Sequence, residues 1–366
     1  MLNLHSLSAA VQRPDPETEA AAEQYRLRLP APAGALGQLD ALGAWLASVQ
    51  ERCPTEPIAR PRVIVLAGDH GVAAAGVSAH TERGTTTLDL VRAVLDGAAP
   101  VNVLARTAGD VPVRVVDICL DADPEQLPPD TAKHRVRRGS GRIDHEDACT
   151  LEEADAAFAA GMALADEEAD SGTDLVLLGD LGVGSTTGAA VLVAALCGVD
   201  ASVVTGRGSG IDDYAWMHKC AAIRDALRRA RPVLGEPMEL LAAVGGPQLA
   251  ALSGFLLQSA VRRLPVVLDG VVAAAAALVV QRIAHRATDW WRAATPTGEP
   301  AQDKALERML IEPLMQHKVH TGGGAAAVLT VPLLKAAAAA LAELPAAEPV
   351  AEKMADGPDV DAYDAT

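Results

Sequence analysis

The stretch LVLLGDLGVGSTTGAAVL (175–192) decides the fold. Five apolar residues, LVLLG, are too short for a buried helix and end at an acid and a glycine. Ser185, Thr186 and Thr187 then open an alanine-rich helical run. A continuous apolar strand, a glycine turn and a helix make the repeating step of a parallel sheet covered on both faces.

The same grammar recurs outward from it. VIVLA (63–67) runs into GDHGV, and VRVVDI (113–118) follows. VV (203–204) precedes TGRGSGIDD, LAAVGG (241–246) precedes PQLAALSGF, and PVVLDG (265–270) precedes an Ala-rich helix. All six are expected as strands of one α/β sheet with helices on both faces. Thr150 and Glu153 have capping-box spacing before a helix over 151–169, and Pro247 suits the first turn of the next helix. The stretch 282–308 is expected as a helix and a long loop, with Trp290 and Trp291 as packing residues. The final helix is expected over 331–344.

Composition narrows the function classes. Aromatics are 2% of the 366 residues, so Ala, Val and Leu must fill the core. The net charge of −17 disfavours nucleic acid as a partner, yet a local nest of N–H groups and a cation can still hold one phosphate. Five scattered cysteines with no CxxC pair argue against a zinc site or disulfide framework and fit a reducing compartment. No metal or cofactor is expected. The start of the chain lacks signal-peptide character, and the longest apolar run, 271–280, is too short for a bilayer. A cytoplasmic protein with no membrane partner is the expectation.

In such a sheet ligands lie beyond the carboxyl ends of the strands. There the chain places Asp69 and His70, the turn from Asp180 through Gly182 and Gly184 to Thr187, and Gly206, Arg207, Gly208 and Gly210. It also places there Gly245 and Gly246, Asp269 and Gly270, and the triple glycine Gly322, Gly323 and Gly324. Glycines let the backbone approach a ligand, and free N–H groups at a helix start favour an anion. Either turn alone is what many strand–helix joints contain. Neither matches a P-loop or a dinucleotide fingerprint.

These segments together resemble one family, the nicotinate-nucleotide–dimethylbenzimidazole phosphoribosyltransferases. LAGDHGVAAAGVSAH (66–80) is similar to its DHGV-xxxGVSAY signature, and APAGALGQLDALGAWL (31–46) to PxGSLGxLExLA. GDLGVGSTTGAAVL (179–192) is similar to GEMGIGNTTAAAAL, and TGRGSGIDD (205–213) followed by Lys219 to VGRGTGLDD and its lysine. VGGPQLAALSGFLLQSAVRRLPVVLDG (244–270) resembles VGGFEIAAMAG through PVxLDG. The likeness runs from about 30 to about 340 in one order.

The resemblance implies a Rossmann-like α/β domain over 61–304 and a small helical domain from 1–60 with 305–345, leaving 346–366 as a disordered tail. It implies transfer of the phosphoribosyl group of nicotinate mononucleotide to a benzimidazole-type aromatic acceptor, in a homodimer without cofactors. The apolar helices at 247–262 and 270–284 are expected to offer the shared interface. Ser78, Lys219 and Asp269 become substrate-site residues, Lys219 as a phosphate clamp.

The chain departs from the pattern on the acceptor side. The catalytic glutamate of RLGEGTGAAL falls on Gly323, and the preceding Arg-Leu on His320-Thr321. The glutamate of GEMGIG is Asp180, and that of GGFE is Gln248. The EPGH loop reads Glu299 to Gln302. His80 stands at the SAYP tyrosine, and Asp89 near the usual glutamine. Asp180, His320 and Asp89 are the candidate replacement bases. Against those roles, Asp180 could serve only its own turn, His320 could be an exposed histidine and Asp89 a solvated helix residue. The competing expectation is an inactive or regulatory paralogue that pairs with an active subunit, and a third is a hydrolase releasing nicotinate to water.

Overall fold

A computed structural model describes residues 2–32 and 34–347. From residue 348 on, the expected tail lies outside the described residues.

Five strands form one parallel sheet: β1 (Pro61–Gly68), β2 (Val113–Cys119), β3 (Leu175–Leu181), β4 (Val266–Leu268) and β5 (Trp291–Ala293), in the order β2-β1-β3-β4-β5. Val63 through Ala67 and Leu175 through Leu178 are buried, as strands sandwiched between helix layers must be. Leu66 of β1 faces Val116 of β2 on one side and Asp180 of β3 on the other. The chain moves from β1 outward to β2, then returns past β1 to β3. Its direction of travel therefore reverses between β1 and β3, where a crevice opens at the carboxyl ends.

Ten helices of nine residues or more occur among the described residues: α1 (Pro16–Arg26), α2 (Gln38–Gln50), α3 (Thr87–Leu95), α4 (Leu151–Asp170), α5 (Ser185–Cys197), α6 (Asp213–Ala230), α7 (Gly246–Val261), α8 (Gly270–Ile283), α9 (Pro300–Met309) and α10 (Val331–Glu343). The capping box at Thr150 and Glu153 starts α4, with the Thr150 N–H donating to Glu153 at 2.9 Å. Helices α4 and α7 cross at backbone contact. A Cβ on Gly161 would lie 1.9 Å from the Ala251 oxygen, and one on Gly254 1.9 Å from the Phe158 oxygen. Only two glycines facing each other permit that approach.

Two of the six expected strands are helical. Val203 and Val204 lie in the short helix Ala201–Val204, and LAAVGG forms the wide helical turn Leu241–Gly245 that runs straight into α7. Short apolar runs do not distinguish a buried strand from a buried helix. Both of these pack beside α5 in the helix layer. Conversely, β5 lies where helix and loop are expected. It is three residues long, and its extension, an edge segment with the Leu314 N–H donating to the Ala293 oxygen at 2.8 Å, arrives about twenty residues later.

The apolar helices 247–262 and 270–284 are not free for a subunit interface. Leu249 through Leu257 of α7 and Val271 through Val280 of α8 are already covered within the chain. The terminal segments meet near β5. Ala22, Leu29, Ala44, Ala47 and Leu341 form a small apolar cluster from α1, the turn after it, α2 and α10. The Trp45 indole donates to the Asp289 oxygen at 3.0 Å, and Trp290 to the Gln12 oxygen at 2.7 Å.

Candidate active site

The expected site residues gather at the carboxyl edge, around the crevice between β1 and β3. Asp69 follows β1 and accepts from the Thr87 hydroxyl and, at 2.8 Å, from the Asp121 N–H. Thr87 in turn accepts the Val183 N–H at 3.0 Å. Asp69 thus ties the loops after β1, β2 and β3 to the start of α3. His70 is buried and 2.7 Å from the Gln248 amide oxygen. Burial holds its ring well below the usual imidazole range, against smaller upward pulls from Gln248 and Asp69.

Two carboxylates face the crevice from β3 and β4. Asp180 accepts from the Ser185 hydroxyl at 3.0 Å. Burial pushes it up to about 7, more than the Ser185 bond lowers it. Asp269, at 3% exposure, accepts the Ala326 N–H at 3.2 Å and the neighbouring N–H groups of Gly324 and Ala327. It too is pushed up to about 7, by burial and by the charge of Asp180. The three N–H donors favour ionisation at Asp269.

The glycine loop explains its own composition. Gly322, Gly323 and Gly324 all have positive φ, at 73°, 67° and 83°. The Gly323 N–H donates to the Asp180 carbonyl at 3.0 Å. A Cβ on Gly323 would point at Leu181 and Val101, 3.7 and 4.0 Å away. Gly323 is therefore a backbone contact packed toward the helix Pro100–Thr107.

A cationic corner lies at the start of α5. Lys219 of α6 has no solvent exposure, and its ammonium donates to the Thr186 hydroxyl at 2.9 Å. Burial lowers its pKa, opposed by the charge of Glu299. Glu299 accepts the Gly208 N–H at 2.7 Å, and a Cβ on Gly206 would strike its carboxylate at 2.2 Å. Gly206 and Gly208 are glycines because Glu299 and Lys219 fill the space beside them. Ser78 bonds Ser209 at 3.1 Å, fastening the segment before His80 to the same turn. The Trp216 indole donates to the Thr205 oxygen at 3.0 Å, directly before Gly206. Ser185 and Thr187 are buried at the first turn of α5, whose N-cap is Gly184.

Other expected residues lie elsewhere or serve the scaffold. Arg207 is exposed and turned to Asp213 and the Ile211 carbonyl. Asp89 caps α3, accepting the Thr86 N–H at 2.9 Å. His320 is exposed, its Nδ1 2.8 Å from the Lys318 carbonyl. His80 is half-buried, its pKa lowered by burial and Arg83. Gly182 packs against the Gly68 carbonyl and Gln248, and Gly210, at φ 90°, is open to solvent-side space. Gly245 and Gly246 join the wide turn to α7, Gly245 against Leu241 and Leu192 and Gly246 against Ala148 and Ser140.

Sequence reasoning passes over Thr87, Ser209, Gln248 and Glu299 as site residues. Gln248 and Glu299 stand at positions of the family pattern, which is the available signal; nothing local marks Thr87 or Ser209. A separate cavity of about 620 Å³, lined among others by Arg13, Trp45, His285 and Arg292, shares no residue with this edge.

Comparison with known proteins agrees with the geometry. The family model described as "Phosphoribosyltransferase" matches residues 11–349. The nicotinate-nucleotide–dimethylbenzimidazole phosphoribosyltransferase of Streptomyces avermitilis is 63% identical over 345 residues, covering 94% of this chain and 91% of that protein. The enzyme of that name from Mycobacterium tuberculosis is 48% identical over 336 residues, 92% of each. The crystal structure of the Thermus thermophilus enzyme superposes with a TM-score of 0.83 at 36% identity, over 91% of this chain and 97% of that one. The chain is thus a phosphoribosyltransferase and belongs to the nicotinate-nucleotide–dimethylbenzimidazole phosphoribosyltransferase family.

Proposed function

We propose that the carboxyl edge binds nicotinate mononucleotide and transfers its phosphoribosyl group to a nitrogen of a benzimidazole-type acceptor, in cobamide biosynthesis. The observation that carries this reading is the two carboxylates Asp180 and Asp269, both raised to about 7 by burial, at the same strand edge as the buried Lys219. Lys219 and the Thr186 hydroxyl it bonds hold the 5-phosphate. The acceptor nitrogen attacks C1′ as the bond from C1′ to the nicotinate ring nitrogen breaks. The bonding pair stays with that nitrogen, cancelling its positive charge, so the leaving group needs no acid. The acceptor's ring N–H proton passes to Asp180, whose value near neutrality suits a general base. Asp269 is anchored by the backbone N–H groups of the glycine loop.

His320 and Asp89 are weaker candidates for the base, because one is exposed and the other is occupied as a helix cap. We read the chain as a cytoplasmic homodimer. Exposed Tyr214 and Met217, one turn apart on α6, support a second copy as partner.

Incubation with nicotinate mononucleotide, with and without dimethylbenzimidazole, tests the proposal. Acceptor-dependent nicotinate release with riboside phosphate formation is expected. Release without acceptor would make the chain a hydrolase. Binding without turnover would make it a regulatory paralogue.

A further inference from the structure

A buried amide has a fixed stock of donors and acceptors, and it dictates the protonation of whatever it faces. Gln248, at the start of α7, has no solvent exposure. Its Nε2 donates to the Leu66 carbonyl at 2.8 Å and to the Leu181 carbonyl at 2.9 Å. Both partners are pure acceptors, so the amide nitrogen must face them and both of its hydrogens are spent. Gln248 Oε1 is thereby turned to His70 Nε2 at 2.7 Å. Oε1 can only accept, so His70 Nε2 must carry a hydrogen.

The surroundings decide the other nitrogen. Asp69 is the charged group that acts on the ring, and its carboxylate is already engaged by Thr87 and Asp121. Cys119, on β2, stays a neutral thiol because burial raises its pKa. From α7 comes uncharged Gln248, and from the turn before α5 comes Gly184, where a Cβ would sit 3.2 Å from that of His70. Asp180, further along that turn, is bonded to Ser185. The upward pull of Asp69 is smaller than the cost of burying an imidazolium.

We propose that Gln248 is a positioning residue that locks His70, which follows β1 beside the β1–β3 crevice, in the neutral Nε2–H tautomer and leaves Nδ1 a hydrogen-bond acceptor instead of part of a cation. An acceptor there suits a ligand group that brings its own proton. A cation would compete with Lys219 for the phosphate and misplace it. The consequence for turnover rests on the reading of this edge as the transfer site; the tautomer does not.

Nitrogen NMR of the full chain labelled at histidine, with His70→Asn to assign the signal, tests the lock. At pH 7 the expected pattern is one protonated nitrogen, Nε2, and one bare nitrogen, Nδ1. In Gln248→Glu the new carboxylate favours imidazolium, and the His70 midpoint should rise by roughly one to three pH units. The acid limb of the kcat/KM profile should rise with it. A doubly protonated ring or the Nδ1–H tautomer in the unaltered protein would overturn the proposal, as would an unmoved midpoint in Gln248→Glu. If that variant fails to fold, the spectrum of the unaltered protein decides. If the chain proves not to be a transferase, the spectrum still decides the lock, so the two failures are separable.

Discussion

Gly179 in β3 lies so close to Gly324 that a methyl group on Gly179 would stand 2.1 Å from the Gly324 nitrogen. The strand and the glycine loop are therefore one unit, and the Asp269 carboxylate that receives the loop's N–H groups is fixed by it. Gly179→Ala should lower stability by about 3 kcal/mol, or displace the loop, because overpacking against backbone has no flexible side chain to absorb it. Urea unfolding checks this; an unchanged midpoint would mean that the contact is looser than described.

Gly323→Glu places an acid in the glycine loop, at φ 67° and with its Cβ aimed at Leu181 and Val101. The left-handed backbone should make it about 1–2 kcal/mol less stable. No gain in riboside formation is expected. A gain would show that the loop can turn the side chain toward the crevice.

Lys219→Met keeps the volume and removes the charge. Loss of a charge-assisted bond to phosphate, about 1.5–3 kcal/mol, predicts a KM for nicotinate mononucleotide raised roughly 10- to 100-fold. Stability should not fall, since the buried ammonium is itself costly. Steady-state kinetics together with a melting curve separates the two effects.

Asp180→Asn addresses base and stability together. The rate should drop on the order of 10²-fold, and the rise in rate through about pH 7 should vanish. In the folded state this acid titrates near 7 rather than at its ordinary value of 3.8. Between those values the folded form holds a proton that the unfolded form releases, so stability declines as pH rises through the window. The variant should thus gain about 1–3 kcal/mol on the parent at pH 8 and nothing at pH 4. Paired denaturation at the two pH values reads the difference directly.

Gly161→Leu should be the most damaging of these changes, because α4 and α7 touch through their backbones there. A loss of more than about 3 kcal/mol, or failure to accumulate folded protein, is expected. Circular dichroism melting provides the check.

Much of this fold is legible in the sequence. The runs VIVLA and LVLLG, rich in Val, Ile and Leu and each ending at glycine and an acid, are the interior parallel strands they resemble, and they carry Asp69 and Asp180 to the carboxyl edge. VV and LAAVGG mislead because a short apolar run has no period of its own, and only the packing beside α5 makes them helical. Strand β5 is hidden because its three residues draw their pairing from β4 and from the segment at 313–315, far away in sequence. Within the site, glycine spacing marks the loops but not the partners that fill them. Glu299 reaches Gly208 across ninety-one positions, and Gln248 reaches His70 across one hundred and seventy-eight. No local pattern encodes such pairings.

The four tryptophans are unevenly distributed. Trp45, Trp290 and Trp291 cluster where the first helices meet β5, and Trp216 alone borders the turn that begins at Gly206. The molecule therefore carries two separate groups of built-in optical reporters: a sheltered trio where the amino-terminal helices are seated, and a single half-covered indole bonded to the turn that begins at Gly206.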